Sequence, residues 1–91
     1  MDSATLDEAL RALAHPDRRS FVGACITGEH AAGDLAALSD LSLATVSEHL
    51  KVLRKSGLLT LGRRGRYCVY RTDTAFLNDV AGEIELLSGH R

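Results

Sequence analysis

Tryptophan is absent from this chain of 91 residues, which holds two tyrosines, two phenylalanines, one proline and two cysteines. Each shortage removes a class of protein. A single proline beside 45% hydrophobic residues does not suit a disordered chain, which cannot bury enough apolar surface to fold. Cys25 and Cys68 lie far apart in sequence with no secretory signal ahead of them, so neither a disulfide framework nor a Cys-x-x-Cys zinc pair is indicated, and reduced thiols are the default. No apolar run approaches the length of a bilayer span. The stretch from Met1 to Glu8 lacks the basic segment and apolar run of a signal peptide and carries acids where bases are needed. We therefore expect a cytoplasmic protein with no membrane partner. The length suits one small domain, residues 1–91, in which a single core serves every purpose and no separate regulatory domain fits.

The chain also lacks an overall excess of positive charge, its formal net charge being −1. By itself that argues against a nucleic-acid partner. The distribution reverses the argument. Residues 1–40 set Arg11, Arg18 and Arg19 against Asp2, Asp7, Glu8, Asp17, Glu29, Asp34 and Asp40. Residues 41–72 set Lys51, Arg54, Lys55, Arg63, Arg64, Arg66 and Arg71 against Glu48 alone. Residues 73–91 return to acid, with Asp73, Asp79, Glu83 and Glu85 against Arg91. A merely solvated surface intersperses the signs, whereas this chain concentrates its cations in one anion-binding stretch.

Hydrophobic spacing divides the chain into five helices and a hairpin. Leu6, Ala9, Leu10 and Leu13 form a helical stripe, and Thr5 with Glu8 has the form of a capping box at its start. His15-Pro16 breaks that pattern and opens a second helix through Phe21, Val22, Cys25 and Ile26 to a stop at Gly28. Gly33 to Leu38 gives a short third helix with Leu35 and Leu38 turned inward, followed by a Ser39-Asp40 turn. Ser42 is placed to cap a fourth helix in which Leu43, Val46, Leu50 and Leu53 share one face and Ala44, Glu48, Lys51 and Lys55 the other, with Gly57 as the stop. The period then changes to β-prone runs, Leu58 to Leu61 and Tyr67 to Arg71, joined by a turn at Gly62-Arg63-Arg64-Gly65-Arg66. Asp73 caps a last helix with Phe76, Leu77, Val80, Ile84 and Leu87 on one stripe. The expected fold is mainly α with a basic β-hairpin, the order of a winged helix-turn-helix.

Such an order has direct chemistry. A helix fits the major groove, and small side chains at its start, here Ala44, Thr45 and Ser47, let its backbone approach the bases. Arginines on a narrow hairpin reach phosphates or a narrowed minor groove. The runs Leu13-Ala14-His15-Pro16-Asp17-Arg18-Arg19, Leu43 through Leu59 with its Thr-Val-Ser-x-His-Leu and Leu-x-x-x-Gly-Leu pieces, and Arg63-Arg64-Gly65-Arg66-Tyr67-Cys68-Val69-Tyr70 resemble the ArsR/SmtB family of bacterial regulators. The resemblance covers roughly residues 8 to 88. It implies a homodimeric repressor of double-stranded DNA with a two-fold symmetric operator, and often an effector, whose identity the sequence does not give. It also implies DNA-facing positions at Ser42, Ala44, Thr45, Ser47, Glu48, His49 and Lys51, with Arg63, Arg64 and Arg66 in the wing. The dimer is implied to form through the first and last helices, for which Leu6, Leu10, Phe76, Val80, Ile84 and Leu87 are the candidates.

This chain departs from the family where metals are held. The stretch matching a Glu-Leu-Cys-x-Cys-Asp-like element is Asp34-Leu35-Ala36-Ala37-Leu38-Ser39-Asp40, and no Asp-x-His or His-x-x-His pair stands at the last helix, where His90 is alone. No metal and no cofactor are expected. Cys25 and Cys68 read as small packed hydrophobes, His15 as a helix-boundary residue, His30 and His90 as loop and tail residues, and His49 as a residue at the DNA surface or just beneath it. Gly62-Arg63-Arg64-Gly65 has the form of a KH-domain loop, but that loop joins helices and this one joins strands. No nucleophile, base and orienting group assemble into an enzyme. The alternative is a winged-helix module that binds protein instead of DNA, which has no evident use for the arginine wing.

Overall fold

Helix α1 (Ser3–Leu13) begins three residues earlier than a Thr5 cap would place it. Asp2 is its cap: the carboxylate accepts from the Thr5 backbone N–H at 2.8 Å, and this bond lowers the Asp2 pKa. Thr5 is therefore a capped residue instead of the cap. Helix α2 (Pro16–Ala24) has His15 as N-cap, its Nδ1 accepting from Asp17 N–H, and Pro16 at the first helical position. A computed structural model describes residues 1–89 of the chain, so His90 lies outside the described residues.

The second helix stops at Ala24 instead of running to Gly28, and Ile26 is exposed. A carbonyl contact explains the early stop. Cys25 O accepts from Thr72 N–H at 3.0 Å, and Val22 O accepts from the Thr72 hydroxyl at 2.7 Å, so the hairpin captures carbonyls that a longer helix would have used. Helix α3 (Ala32–Ala37) buries Leu35 fully, but Leu38, expected inside, falls one residue beyond the helix and is 66% exposed.

Helix α4 (Leu43–Ser56) follows its sequence signals at both ends. Ser42 Oγ accepts from Thr45 N–H at 3.2 Å, and Gly57 sits at φ 93°, a left-handed conformation that favours glycine. The N–H groups of Gly57 and Leu58 return to the carbonyls of Arg54 and Leu53, a Schellman closure that turns the chain into the hairpin. Leu43, expected in the apolar stripe, is exposed, and the face of α4 that enters the core consists of Val46, Leu50 and Leu53.

Strands β1 (Leu59–Arg64) and β2 (Tyr67–Thr72) pair antiparallel from Leu59↔Thr72 to Arg64↔Tyr67. The hairpin is longer than the sequence indicated because Gly62, Arg63 and Arg64 belong to the strand. Only Gly65 and Arg66 make the turn, with a positive φ of 61° at Gly65 alone, as a two-residue primed turn with glycine first requires. A single bridge, His30↔Tyr70, joins the loop after α2 to the outer edge of β2. Helix α5 (Thr74–Leu87) is capped by Asp73, which accepts from Phe76 N–H at 3.0 Å. No described helix is long and apolar enough to cross a membrane.

One core gathers every element. It comprises Ala9 and Ala12 of α1, Phe21, Val22 and Cys25 around α2, Leu35, the three α4 residues, Leu58, Leu59, and Val80 of α5. Val80 is 1% exposed and so belongs to the chain's own core, which removes it from the candidate dimer contacts. The α5 stripe divides at that residue. Phe76 and Leu77 pack against the core, whereas Ile84 and Leu87 lie beyond its reach and remain exposed. Leu6 likewise packs on the core, and Leu10 is partly exposed.

Candidate nucleic-acid interface

The outer face of α4 is built by the same periodicity that fills the core. With Val46, Leu50 and Leu53 turned inward, Ala44, Thr45, Ser47, Glu48 and Lys51 are turned out, and all five are exposed, as is Ser42 at the cap. Ser42 Oγ accepts from Thr45 N–H and donates to Thr45 Oγ1 at 3.0 Å. Thr45 Oγ1 thus accepts a hydrogen bond from Ser42, and its own O–H is left to donate outward. Lys51, Arg54 and Lys55 share a shallow cleft with Ser47 and with Tyr70 of the wing. Arg54 and Lys55, which the sequence placed in the basic run but not among the DNA-facing candidates, extend that basic face. Their spacing from Ser47 and Lys51, seven and four residues, was the available signal.

His49 takes the second of its two expected places, beneath the outward face. It is half-buried beneath α4, its ring 4.4 Å from that of His15 and 6.4 Å from that of Phe21. Arg18 Nη1 lies 3.4 Å from His49 Nδ1, and because a guanidinium only donates, that nitrogen accepts. Arg18 is itself held by the carbonyls of Ala12 and Arg11. Burial first, then the charges of His15 and Arg18, lower the His49 pKa and favour a neutral ring. His49 seats the α4 helix on α1 and α2 and does not face outward. The reason is its position three residues after Val46 and one before Leu50, at the margin of the inward face.

His15, Asp17 and His49 each bring a ligand-type atom within 4.8 Å of the others, a convergence that no sequence spacing announced. Its chemistry is that of a hydrogen-bonded seat. Nδ1 of each ring is already engaged, His15 Nδ1 accepting from Asp17 N–H and His49 Nδ1 facing the Arg18 guanidinium. The Arg18 cation beside the group opposes a second cation there.

Side-chain alternation divides the wing arginines. Leu59, Tyr70 and Thr72, which turn toward the core, share a face of the hairpin with Arg63 and Cys68, whereas Arg64 and Arg71 share the opposite face. Arg66 stands at the tip. Arg64 Nε donates to Glu29 Oε1 at 2.9 Å, and Arg71 Nε lies 4.0 Å from Glu29 Oε2. Arg63 and Arg66 have no ion-pair partner among the described residues. Cys68 is exposed instead of packed, while Cys25 is buried and its thiol is pushed up to about 11 by desolvation.

The comparisons with known proteins agree with this geometry. A helix-turn-helix domain family profile matches residues 13–62, from the end of α1 into β1. The transcriptional repressor SdpR of Bacillus subtilis (strain 168) is 27% identical over 74 residues, which cover 81% of this chain and 82% of that protein. A biofilm growth-associated repressor of Agrobacterium fabrum (strain C58) is 36% identical over 62 residues, 68% of this chain; the match spans about half of that longer protein, 53%. The solved structure of an ArsR-like transcriptional regulator from Rhodococcus sp. RHA1 superposes with a TM-score of 0.85 at 27% identity, over 94% of this chain and 81% of that one. The chain belongs to the helix-turn-helix domain family and is an ArsR-like winged helix-turn-helix DNA-binding regulator.

Proposed function

We propose that the protein is a cytoplasmic, homodimeric transcriptional repressor that reads a two-fold symmetric operator with α4 in the major groove and the wing on the flanking backbone. One observation carries the reading. A single helix has Val46, Leu50 and Leu53 sealed in the core and a face of small and polar side chains fully outward, with a basic hairpin beside it. A helix so fixed can be pressed into a groove without losing its seat. Thr45, Ser47 and Glu48 would address base edges, the Thr45 hydroxyl as a donor, while Lys51, Arg63 and Arg66 would meet phosphates.

The dimer rests on the apolar surface that one chain leaves uncovered. Leu87 is 85% exposed, Ile84, Leu86 and Leu10 are exposed on the same two terminal helices, and Met1 is exposed just ahead of the first. A domain of this size has no further core to cover them. A gel shift against the gene's own upstream DNA, with unrelated DNA as competitor, tests the reading. Retarded bands that survive the competitor support it, and no binding at low salt would return us to a protein-docking winged helix.

A further inference from the structure

Among the described residues Glu29 is the one acid paired with the wing's cations, and it comes from the loop between α2 and α3, 35 residues before Arg64. Its carboxylate meets a guanidinium from each strand: Arg64 of β1 at 2.9 Å and Arg71 of β2 at 4.0 Å. The next residue, His30, exchanges both backbone hydrogen bonds with Tyr70, His30 N to Tyr70 O at 3.1 Å and Tyr70 N to His30 O at 2.8 Å. Side-chain and backbone ties thus fall on adjacent residues of one loop. The Glu29 side chain is 23% exposed, whereas those of Arg64 and Arg71 are 67% and 60% exposed, so the carboxylate is the fixed member and the arginines are drawn to it.

We propose that Glu29 is a positioning residue for the wing, and that Arg64 serves through it as a strut that aims Arg63 and Arg66 at the DNA backbone. This rests on the DNA-binding reading above. A two-stranded hairpin is marginal alone and needs an outside anchor to hold its tip in one place. Here the bridge at Tyr70 fixes the middle of β2, and the Glu29 pair extends the anchoring to Arg64, the last residue of β1 before the turn. Arg64 points away from the hairpin face that carries Arg63, so the cation engaged by Glu29 is not the one presented beside α4. The carboxylate also removes positive charge from the wing where charge would raise affinity for any DNA, and thereby favours discrimination.

Operator affinity measured across a salt series, in a double-mutant cycle of Glu29→Gln and Arg64→Gln, tests the assignment. We expect Arg64→Gln to weaken operator binding by about three- to tenfold, as befits two exposed ion pairs per dimer, with little change in the salt slope. In the Glu29→Gln background the same substitution should add less than about twofold, because the strut is already gone. Arg64→Lys, which keeps the cation, should retain most of the affinity, and all variants should melt cooperatively with the helical content of the parent. Equal losses from Arg64→Gln in both backgrounds, with a salt slope lower by about two per dimer, would show that Arg64 meets phosphate directly and would overturn the proposal alone. Absence of binding by the parent protein at low salt would overturn the DNA-binding reading and this proposal with it.

Discussion

Thr45, Ser47 and Glu48 occupy one exposed face within a turn of each other, yet their chemistry differs from that of the lysine and arginines around them. Hydroxyls and carboxylates carry direction, and charge alone does not. Replacing Thr45 or Ser47 by Ala should lower the preference for operator over unrelated DNA by about 1–3 kcal/mol per lost base contact and leave the salt slope intact, as competition titrations will show. Glu48→Gln should raise non-specific affinity while lowering discrimination, since a carboxylate near phosphates is repelled unless it accepts a bond, for example from cytosine N4. His49 belongs to a different problem, that of seating the helix. Its folded pKa is lowered, so the unfolded chain binds a proton more readily than the folded one. Stability is therefore fully present above the unfolded value of about 6.5 and declines as pH falls through it toward the folded pKa. Urea midpoints across that window should fall with acid, and His49→Gln should flatten the part of the dependence that His49 supplies.

Among the elements, α4 and the hairpin divide the work by rigidity. Helix α4 is clamped by a serine cap, a left-handed glycine and three core side chains, and its outward face is fixed by those constraints. The hairpin shares the core through its base, at Leu59, Tyr70 and Thr72, and toward its tip it is tied by the His30 bridge and by Glu29. Removing Arg63 or Arg66 should weaken operator and unrelated DNA alike and reduce the slope of log affinity against log salt by about one per contact, hence about two per dimer. Fluorescence anisotropy on both DNAs at several salt concentrations separates this pattern from that of the α4 variants. A hairpin that truly reads bases would instead lose operator binding selectively.

At the scale of the whole molecule, α1 and α5 carry apolar side chains that the chain itself leaves exposed. Leu87→Asp and Ile84→Asp, at exposed positions near the end of α5, should convert a dimer to a monomer in sedimentation without loss of fold, and should reduce operator affinity steeply because two recognition helices must sit about 34 Å apart on the duplex. Val80→Asp is no test of the dimer. At 1% exposure it places an unpaired carboxylate in the core, and the result would be unfolding. A parent protein that sediments as a monomer at micromolar concentration would refute the dimer and the two-fold operator together.

Local rules decided much of this protein before any tertiary contact. Ser42 and Asp73 as caps, Pro16 at a helix start, Gly57 as a stop and the change of period after it were all legible, because each acts over three or four residues of one chain segment. The outward set on α4 followed from the same 3.6-residue period. Other features were decided only when distant segments met. Whether α2 ended at Ala24 or Gly28 depended on Thr72, which takes the Cys25 carbonyl. The stripe on α5 read as one surface, but packing assigned Val80 to the core and left Ile84 and Leu87 outside, since periodicity gives a direction and not a depth of burial. His49 and Arg64 were read for their place in the run; the fold half-buries His49, whereas Arg64 stays exposed while pairing with Glu29. Their partners, His15 and Arg18 for one and Glu29 for the other, stand some 30 to 35 residues away, and electrostatic pairing over such separations has no spacing by which a sequence can show it.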